Sequence, residues 1–445
     1  MAKWKEYGML QRKALARFEF WKKNKTKQAL LVTGARQVGK TFLVRYFAGE
    51  NYSSFVELNL VENTALKNSL KKATSAEDLM LRISAASQSI LQPGKTLVFI
   101  DEVQECPEIV TFVKFLADKN EYDFILSGSL LGVELENIRS QPVGYITEVV
   151  MYPLDFEEFC WAGGLSEELM RMAKAGFNNK EPLPEYLHER LTSLFRRYLL
   201  VGGMPDAVTA FFRNNSLDQV RIAQDGIIAY YARDISKYAP IDRRLVIKNI
   251  FDLIPSELSS QNRRFKLSSI ENVKRFTQVH EEFLWLIKAN VALAAYNVKA
   301  PVSPLLLSED HRLFKLFQSD VGLLTGRFPK DLSLGILDGR PAKQMGGVYE
   351  NFVAQELTAH GFSLRYYTKR KIGEIDFILE KKDGTIIAIE VKSGTAYRTH
   401  AALSNALAVK EYDISEAMVF AETNTEQVGA MTYFPIYLVS MMENY

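Results

Sequence analysis

Several function classes are excluded by what this sequence has little of. It holds only two cysteines, Cys106 and Cys160, in 445 residues, and they stand far apart. That leaves no disulfide framework and no cysteine metal spacing, and it fits a reducing cytoplasm. The five histidines (His188, His280, His311, His360, His400) are scattered and match no zinc pattern. No apolar run approaches the roughly 18 residues of a membrane span. The opening MAKWKEYGMLQRKALARFEFWKK has no signal-peptide core. Charge of either sign is not in excess: 55 Lys+Arg against 53 Asp+Glu give +2, so any basic surface must be local. The expectation is a cytoplasmic chain with no membrane partner. Hydrophobic content of 47% is ordinary globular material, and the length suggests about three domains.

The pattern along the chain is alternating. Residues 9–23 set Met9, Leu10, Leu15, Phe18 and Trp21 against Arg12, Lys13, Arg17 and Lys22 at helical spacing. Strands are expected at 29–33, 55–60, 97–100 and 124–126, with helices at 41–48, 76–91 and 112–116 between them. Leu97-Val98-Phe99-Ile100 is wholly apolar, as a parallel strand buried on both faces should be. Strand–helix alternation predicts an α/β unit with a parallel sheet. Residues 155–230 read as mainly helical, with a loop at 174–184. Residues 231–330 read as helix-rich and end in Phe314-Lys-Leu-Phe317 and Asp320-Val-Gly-Leu-Leu324. From about 346 a helix at 348–360 precedes strands at 363–367, 375–380 and 386–391, the last two joined by a turn at Asp383-Gly384.

Gly34-Ala35-Arg36-Gln37-Val38-Gly39-Lys40-Thr41 fits G-x-x-x-x-G-K-[ST] without departure. Glycines let successive backbone N–H groups face one anion, and the following helix adds its positive end. Lys40 reaches toward β- and γ-phosphates, and Thr41 offers a hydroxyl to Mg²⁺. The ligands implied are ATP and Mg²⁺. About 60 residues on, an apolar strand delivers Asp101 to the same metal, with Glu102 beside it as acceptor for a water proton. Leu126-Ser127-Gly128-Ser129 ends the next strand. Ser129, in preference to Ser127, is the candidate for the γ-phosphate or the water.

These segments, with Tyr-Pro-Leu-Asp-Phe-Glu-Glu-Phe at 152–159, resemble the prokaryotic AAA+-type ATPases that carry a C-terminal domain of unknown function. Val201 to Pro205, Tyr230 to Ile235, Phe314 to Leu324 and Gly347 to Val353 are similar to that partner domain. The resemblance implies a P-loop ATPase core at 1–155, a helical lid at 156–228, a winged-helix-like region at 229–340 and a nuclease-like α/β domain at 341–445. One departure concerns charge. Relatives often carry Gly-Arg before the Tyr-Pro-Leu segment, whereas Pro142-Val143-Gly144-Tyr145 has no arginine. Arg139 and Arg233 are the candidates left for an arginine finger.

In the last quarter, Asp376 and Glu390 fall on strands either side of the hairpin turn, and Lys392 shares a strand face with Glu390. Two carboxylates around a divalent metal with a nearby lysine suit attack on a phosphodiester. The set resembles the PD-(D/E)xK nuclease pattern, with Ile375 where proline often stands and Glu350 able to add a carboxylate from the preceding helix. Basic residues between 233 and 275 (Arg233, Lys237, Arg243, Arg244, Lys248, Arg263, Arg264, Lys266, Lys274, Arg275), and Arg365, Lys369, Arg370 and Lys371, are candidates for DNA phosphates. The reading is an ATP-hydrolysing enzyme with a nuclease-like module acting on DNA. Its rivals are an ATP-gated switch that binds a protein partner or itself, with a silent C-terminal domain, and a DNA-binding ATPase that does not cut.

Overall fold

The structure is a computed structural model and describes residues 10–444 apart from 26, 88–89, 130–143, 261–262, 272, 341–343 and 395. Arg139, Pro142 and Val143 lie outside the described residues. The chain divides into two compact units, one of residues 12–152, the other chiefly of residues 153–287 and 291–445.

The first unit is built on strands β1 (Ala29–Thr33), β2 (Ser54–Asn59), β3 (Thr96–Asp101), β4 (Asp123–Ser127) and β5 (Ile146–Val150). They form one parallel sheet in the order β2-β3-β4-β1-β5. β1 and β3 are buried at every position, as their unbroken apolar runs require of strands covered on both faces. Helices Lys40–Asn51, Ala76–Ala86 and Glu108–Lys119 alternate with the strands. Ser75 ends one approach by accepting from Asp78 N, so that helix starts on a side-chain cap. It stops at Ala86, five residues short of the expected 91. Ser87 adopts an extended backbone there and its N–H closes on Ile83 O and Ser84 O. The sequence reading had no strand at 146–150. This edge strand is only partly buried, so it lacks the apolar run by which the others were found.

The second unit opens with helices Phe156–Ala162, Glu167–Asn179, Glu185–Val201, Pro205–Asn214, Leu217–Tyr238 and Arg244–Leu258. The expected loop at 174–184 is a correction: helix continues to Asn179, because Met170, Ala173 and Gly176 form a buried stripe. Only residues after Lys180, which takes a left-handed backbone, leave it. The expectation for 231–330 misses a sheet. β6 (Ala292–Val298) and β7 (Glu309–Gln318) are antiparallel, and Phe314 to Phe317 lies in β7.

β6 also pairs in parallel with β8 (Arg365–Lys369), which pairs with β9 (Gly373–Ile375). A second sheet follows: β10 (Phe377–Glu380), β11 (Ile386–Val391), β12 (Ile414–Ala421), β13 (Glu426–Val428) and β14 (Met431–Pro435), in the order β10-β11-β12-β14-β13. The strand expected at 375–380 is therefore two strands in two sheets, and Asp376 is the residue at the break. Helix Met345–Ala359 is buried from its first residue to Leu357, which explains why its hydrophobic pattern has no clear polar face.

Candidate functional site

Parallel strands carry their loops to one edge of the sheet, and ligands bind outside their carboxyl ends. Gly34, Asp101 and Ser127 all sit there, with Ser127 opposite Val32 and Asp101 opposite Asn59. Gly34 has φ +126°, and a Cβ on it would lie 2.0 Å from the Met151 carbonyl oxygen. No other residue fits that close backbone approach. Arg12 fastens the same region from below. Its Nη1 donates to Val38 O (2.7 Å) and its Nη2 to Tyr152 O (2.6 Å). Helix Lys40–Asn51 begins at Gly39 with no side-chain cap and no acid in its first turn, so its leading N–H groups are available to an anion. Lys40 is folded over the loop, donating to Gly34 O (2.9 Å) and Ala35 O (2.8 Å).

Thr41 Oγ1 donates to Asp101 Oδ2 at 2.8 Å, so the loop and strand β3 meet at two oxygen ligands of the kind Mg²⁺ takes. Asp101 is 3% exposed. Its other oxygen accepts from Ser127 Oγ and from Glu102 N. Glu102 itself has a left-handed backbone, φ +57°, uncommon for a residue with a side chain. Its Oε2 accepts from the Gln104 amide and from Ser129 Oγ (3.2 Å), and Ser129 accepts from Arg36 Nε (3.3 Å). Both serines thus reach the acidic pair: Ser127 serves Asp101, and Ser129 serves Glu102. The sequence reading missed Arg12 and Gln104. Gln104 carried a weak signal, an amide two positions after Glu102.

A family profile described as the AAA domain matches residues 26–160. Residues 26–160 are an AAA domain with a P-loop. Two further profiles match, a domain of unknown function (DUF8612) at residues 192–330 and a domain of unknown function (DUF4143) at residues 345–439. Among curated proteins no match is found. Solved structures similar in part include the Walker-type ATPase paby2304 of Pyrococcus abyssi, at 15% identity and TM-score 0.42, covering 72% of this chain and 95% of that one. The Aeropyrum pernix ORC1 protein in complex with DNA aligns at 12% identity and TM-score 0.26, covering 70% and 91%. Drosophila ORC bound to DNA aligns at 13% and TM-score 0.24, covering 75% and 97%. Scores of this size carry nothing about substrate. The AAA domain's own geometry has to.

The second unit holds the other expected cluster. Phe377 pairs with Ile389, so the next positions along the ladder are Asp376 and Glu390. They do come together, near enough for each to bear on the other's ionisation. Burial, then the Asp376 charge, pushes the Glu390 acid well above its usual range. Burial would raise Asp376 too, but the Lys315 and Arg263 charges outweigh it and hold it below its usual value. Glu350 is fully buried and accepts from Arg263 and from Lys315 Nζ (3.1 Å). Lys315, with no exposed surface, also lies 2.9 Å from Glu374 and 3.6 Å from Asp376. Arg264 is 3.5 Å from Glu374. Lys392 stands 3.4 Å from Glu390.

A divalent cation does not fit this donor set as arranged. Glu350 and Asp376 already face a buried ammonium and a guanidinium, and among the described residues no group of acids or histidines is disposed as a metal site. Lys315 was hidden inside the apolar Phe-Lys-Leu-Phe. A lone lysine in a buried strand demands acidic partners, and that was the available signal.

The basic stretch is largely spent inside the unit. Arg243 pairs with Glu282 (2.6 Å), Lys248 with Asp252 (2.6 Å), and Arg244 donates to Ala239 O (2.9 Å). Arg233 lies over the Tyr230 ring. Lys369, Arg370 and Lys371 are exposed at the turn between β8 and β9.

Two of the other segments behind the family resemblance, Val201 to Pro205 and Phe314 to Leu324, are tied down by packing. Leu154 N donates to Gly203 O (2.7 Å), and a Cβ on Gly203 would meet Leu154 O at 1.9 Å. Asp320 is wholly buried, accepting from Gly203 N (2.6 Å) and Leu323 N (3.0 Å). Burial raises its acid to about 6, against those hydrogen bonds. Gln355 then joins Val321 N to the Tyr198 hydroxyl.

Proposed function

We propose that this chain binds ATP with Mg²⁺ at Gly34–Thr41 and hydrolyses it, and that the second unit reads the bound state as a switch. The observation that carries the first part is the 2.8 Å bond from Thr41 to Asp101, with Glu102 next in the chain. Lys40 would exchange its loop carbonyls for β- and γ-phosphate oxygens. Thr41 and Asp101 would hold Mg²⁺, which supplies charge neutralisation on the phosphates. Glu102 accepts the proton of the attacking water, and Ser129, linked to Arg36, would face the γ-phosphate. Gly34, Ala35, Arg36, Gln37, Val38 and Gly39 offer the backbone N–H groups of the cradle.

The switch reading is preferred to a nuclease because of Lys315. Cutting a phosphodiester at Glu350, Asp376 and Glu390 with Lys392 would require that ammonium to leave three carboxylates. A protein partner, or a second copy of this chain, suits the switch better than DNA, since much of the 233–275 charge is internally paired.

Fluorescent-nucleotide binding and phosphate release test this directly. Wild type should bind and turn over ATP only with Mg²⁺. Lys40→Ala should lose binding. Glu102→Gln should bind normally and turn over about 10²–10⁴-fold more slowly, the usual share of a general base. Mg²⁺- or Mn²⁺-dependent cleavage of single-stranded, duplex or branched DNA, abolished by Asp376→Ala, would replace the switch with the nuclease.

A further inference from the structure

Glu102 is held by one oxygen. Gln104 and Ser129 both donate to Oε2, and among the described residues no hydrogen bond reaches Oε1. The short turn Val103–Glu105 is responsible. Glu102 enters it in the left-handed region, Glu105 N closes on Glu102 O (3.0 Å), and Gln104 is brought back beside the carboxylate. Such backbone outliers gather at functional sites.

A carboxylate only accepts, so the Gln104 amide must turn its NH₂ toward Glu102. Its carbonyl oxygen then faces elsewhere. Gln104 is 6% exposed, and that Oε1 is buried with no donor among the described residues. A buried acceptor without a donor is costly, and native sites keep one chiefly where water or a ligand completes it. The Gln104 carbonyl and the open Glu102 Oε1 are two acceptors in one short turn, beside the Mg²⁺ ligand Asp101.

We propose that Gln104 positions the attacking water, a role that rests on the hydrolysis reading above. Its NH₂ fixes Glu102 through Oε2, and its carbonyl accepts one hydrogen of the water. The other proton passes to Glu102 as the water oxygen bonds to the γ-phosphorus. The bond from that phosphorus to the β–γ bridging oxygen breaks, and ADP leaves with the electron pair. Arg36, through Ser129, ties the same carboxylate oxygen to the phosphate loop.

The test uses the full chain and three substitutions. Gln104→Met keeps volume and loses both hydrogen bonds. It should lower kcat about 10- to 100-fold, with the dissociation constant for fluorescent ATP unchanged. Gln104→Glu keeps the side-chain size but replaces the donor to Glu102 with an acceptor, so it should lower kcat at least as far as Gln104→Met, again with nucleotide binding unchanged. In a Glu102→Gln background, Gln104→Met should add nothing, because the two act as a unit. Wild-type kcat in Gln104→Met overturns the proposal, and so does an equal loss of kcat and nucleotide binding, which would mark a structural role. Wild type that binds ATP without turning it over refutes the hydrolysis reading, and the proposal falls with it.

Discussion

Replacing Lys315 with methionine removes one buried ammonium and leaves the β7 strand its apolar volume. Lys315 Nζ is 3.1 Å from Glu350 and 2.9 Å from Glu374, with no exposed surface. At an effective dielectric of about 20, a pair at such distances has a gross attraction of about 5 kcal/mol. Much of that is offset by desolvation, but removing one partner strands the other charges, and such losses run to about 3–5 kcal/mol. Arg263 stays on Glu350, so we expect the lower half of that range. Urea unfolding, followed by the tryptophan signal, should show the midpoint fall with little change in slope. A loss under about 1 kcal/mol would refute the claim that this lysine balances the cluster. Mn²⁺ titration gives a second arm. Wild type should show no Mn²⁺ site that Asp376→Asn removes.

Other outcomes are testable with the same preparations. Gly203→Ala should cost several kcal/mol or prevent folding, since its Cβ would sit 1.9 Å from Leu154 O; near-normal stability would refute that close approach. Asp320, raised to about 6, contributes against folding once the unfolded acid ionises. Stability is therefore greatest below about pH 4 from this group and declines by about 2–3 kcal/mol as pH rises to 6. Asp320→Asn should flatten that slope, measured as the difference from wild type across the same pH range.

The first unit was largely legible because motif and periodicity agree there. A complete phosphate loop fixes strand–loop–helix order, and the apolar run before Asp101 names a central strand. Edge strand β5 was not legible, because half-buried residues at a sheet edge carry no run. In the second unit the pairing of Asp376 with Glu390 followed from counting back from one turn. Their surroundings did not, because Arg263 and Lys315 arrive from 113 and 61 positions upstream of Asp376, beyond the reach of any local pattern. Strands β6 and β7 went unseen within a stretch read as helix-rich for a related reason. Their residues alternate weakly, and pairing with β8, far along the chain, is what makes them a sheet.

Arg12 has a practical consequence for anyone trimming this protein. The AAA profile begins at residue 26, and a truncation to that point would look safe. It would discard the Arg12 side chain, which buttons the Val38 carbonyl to the Tyr152 carbonyl, and with it Phe18 and Trp21, which pack on Phe47 of the helix behind the loop. An expression boundary that respects the nucleotide pocket lies ahead of Arg12, and an affinity tag belongs farther out still.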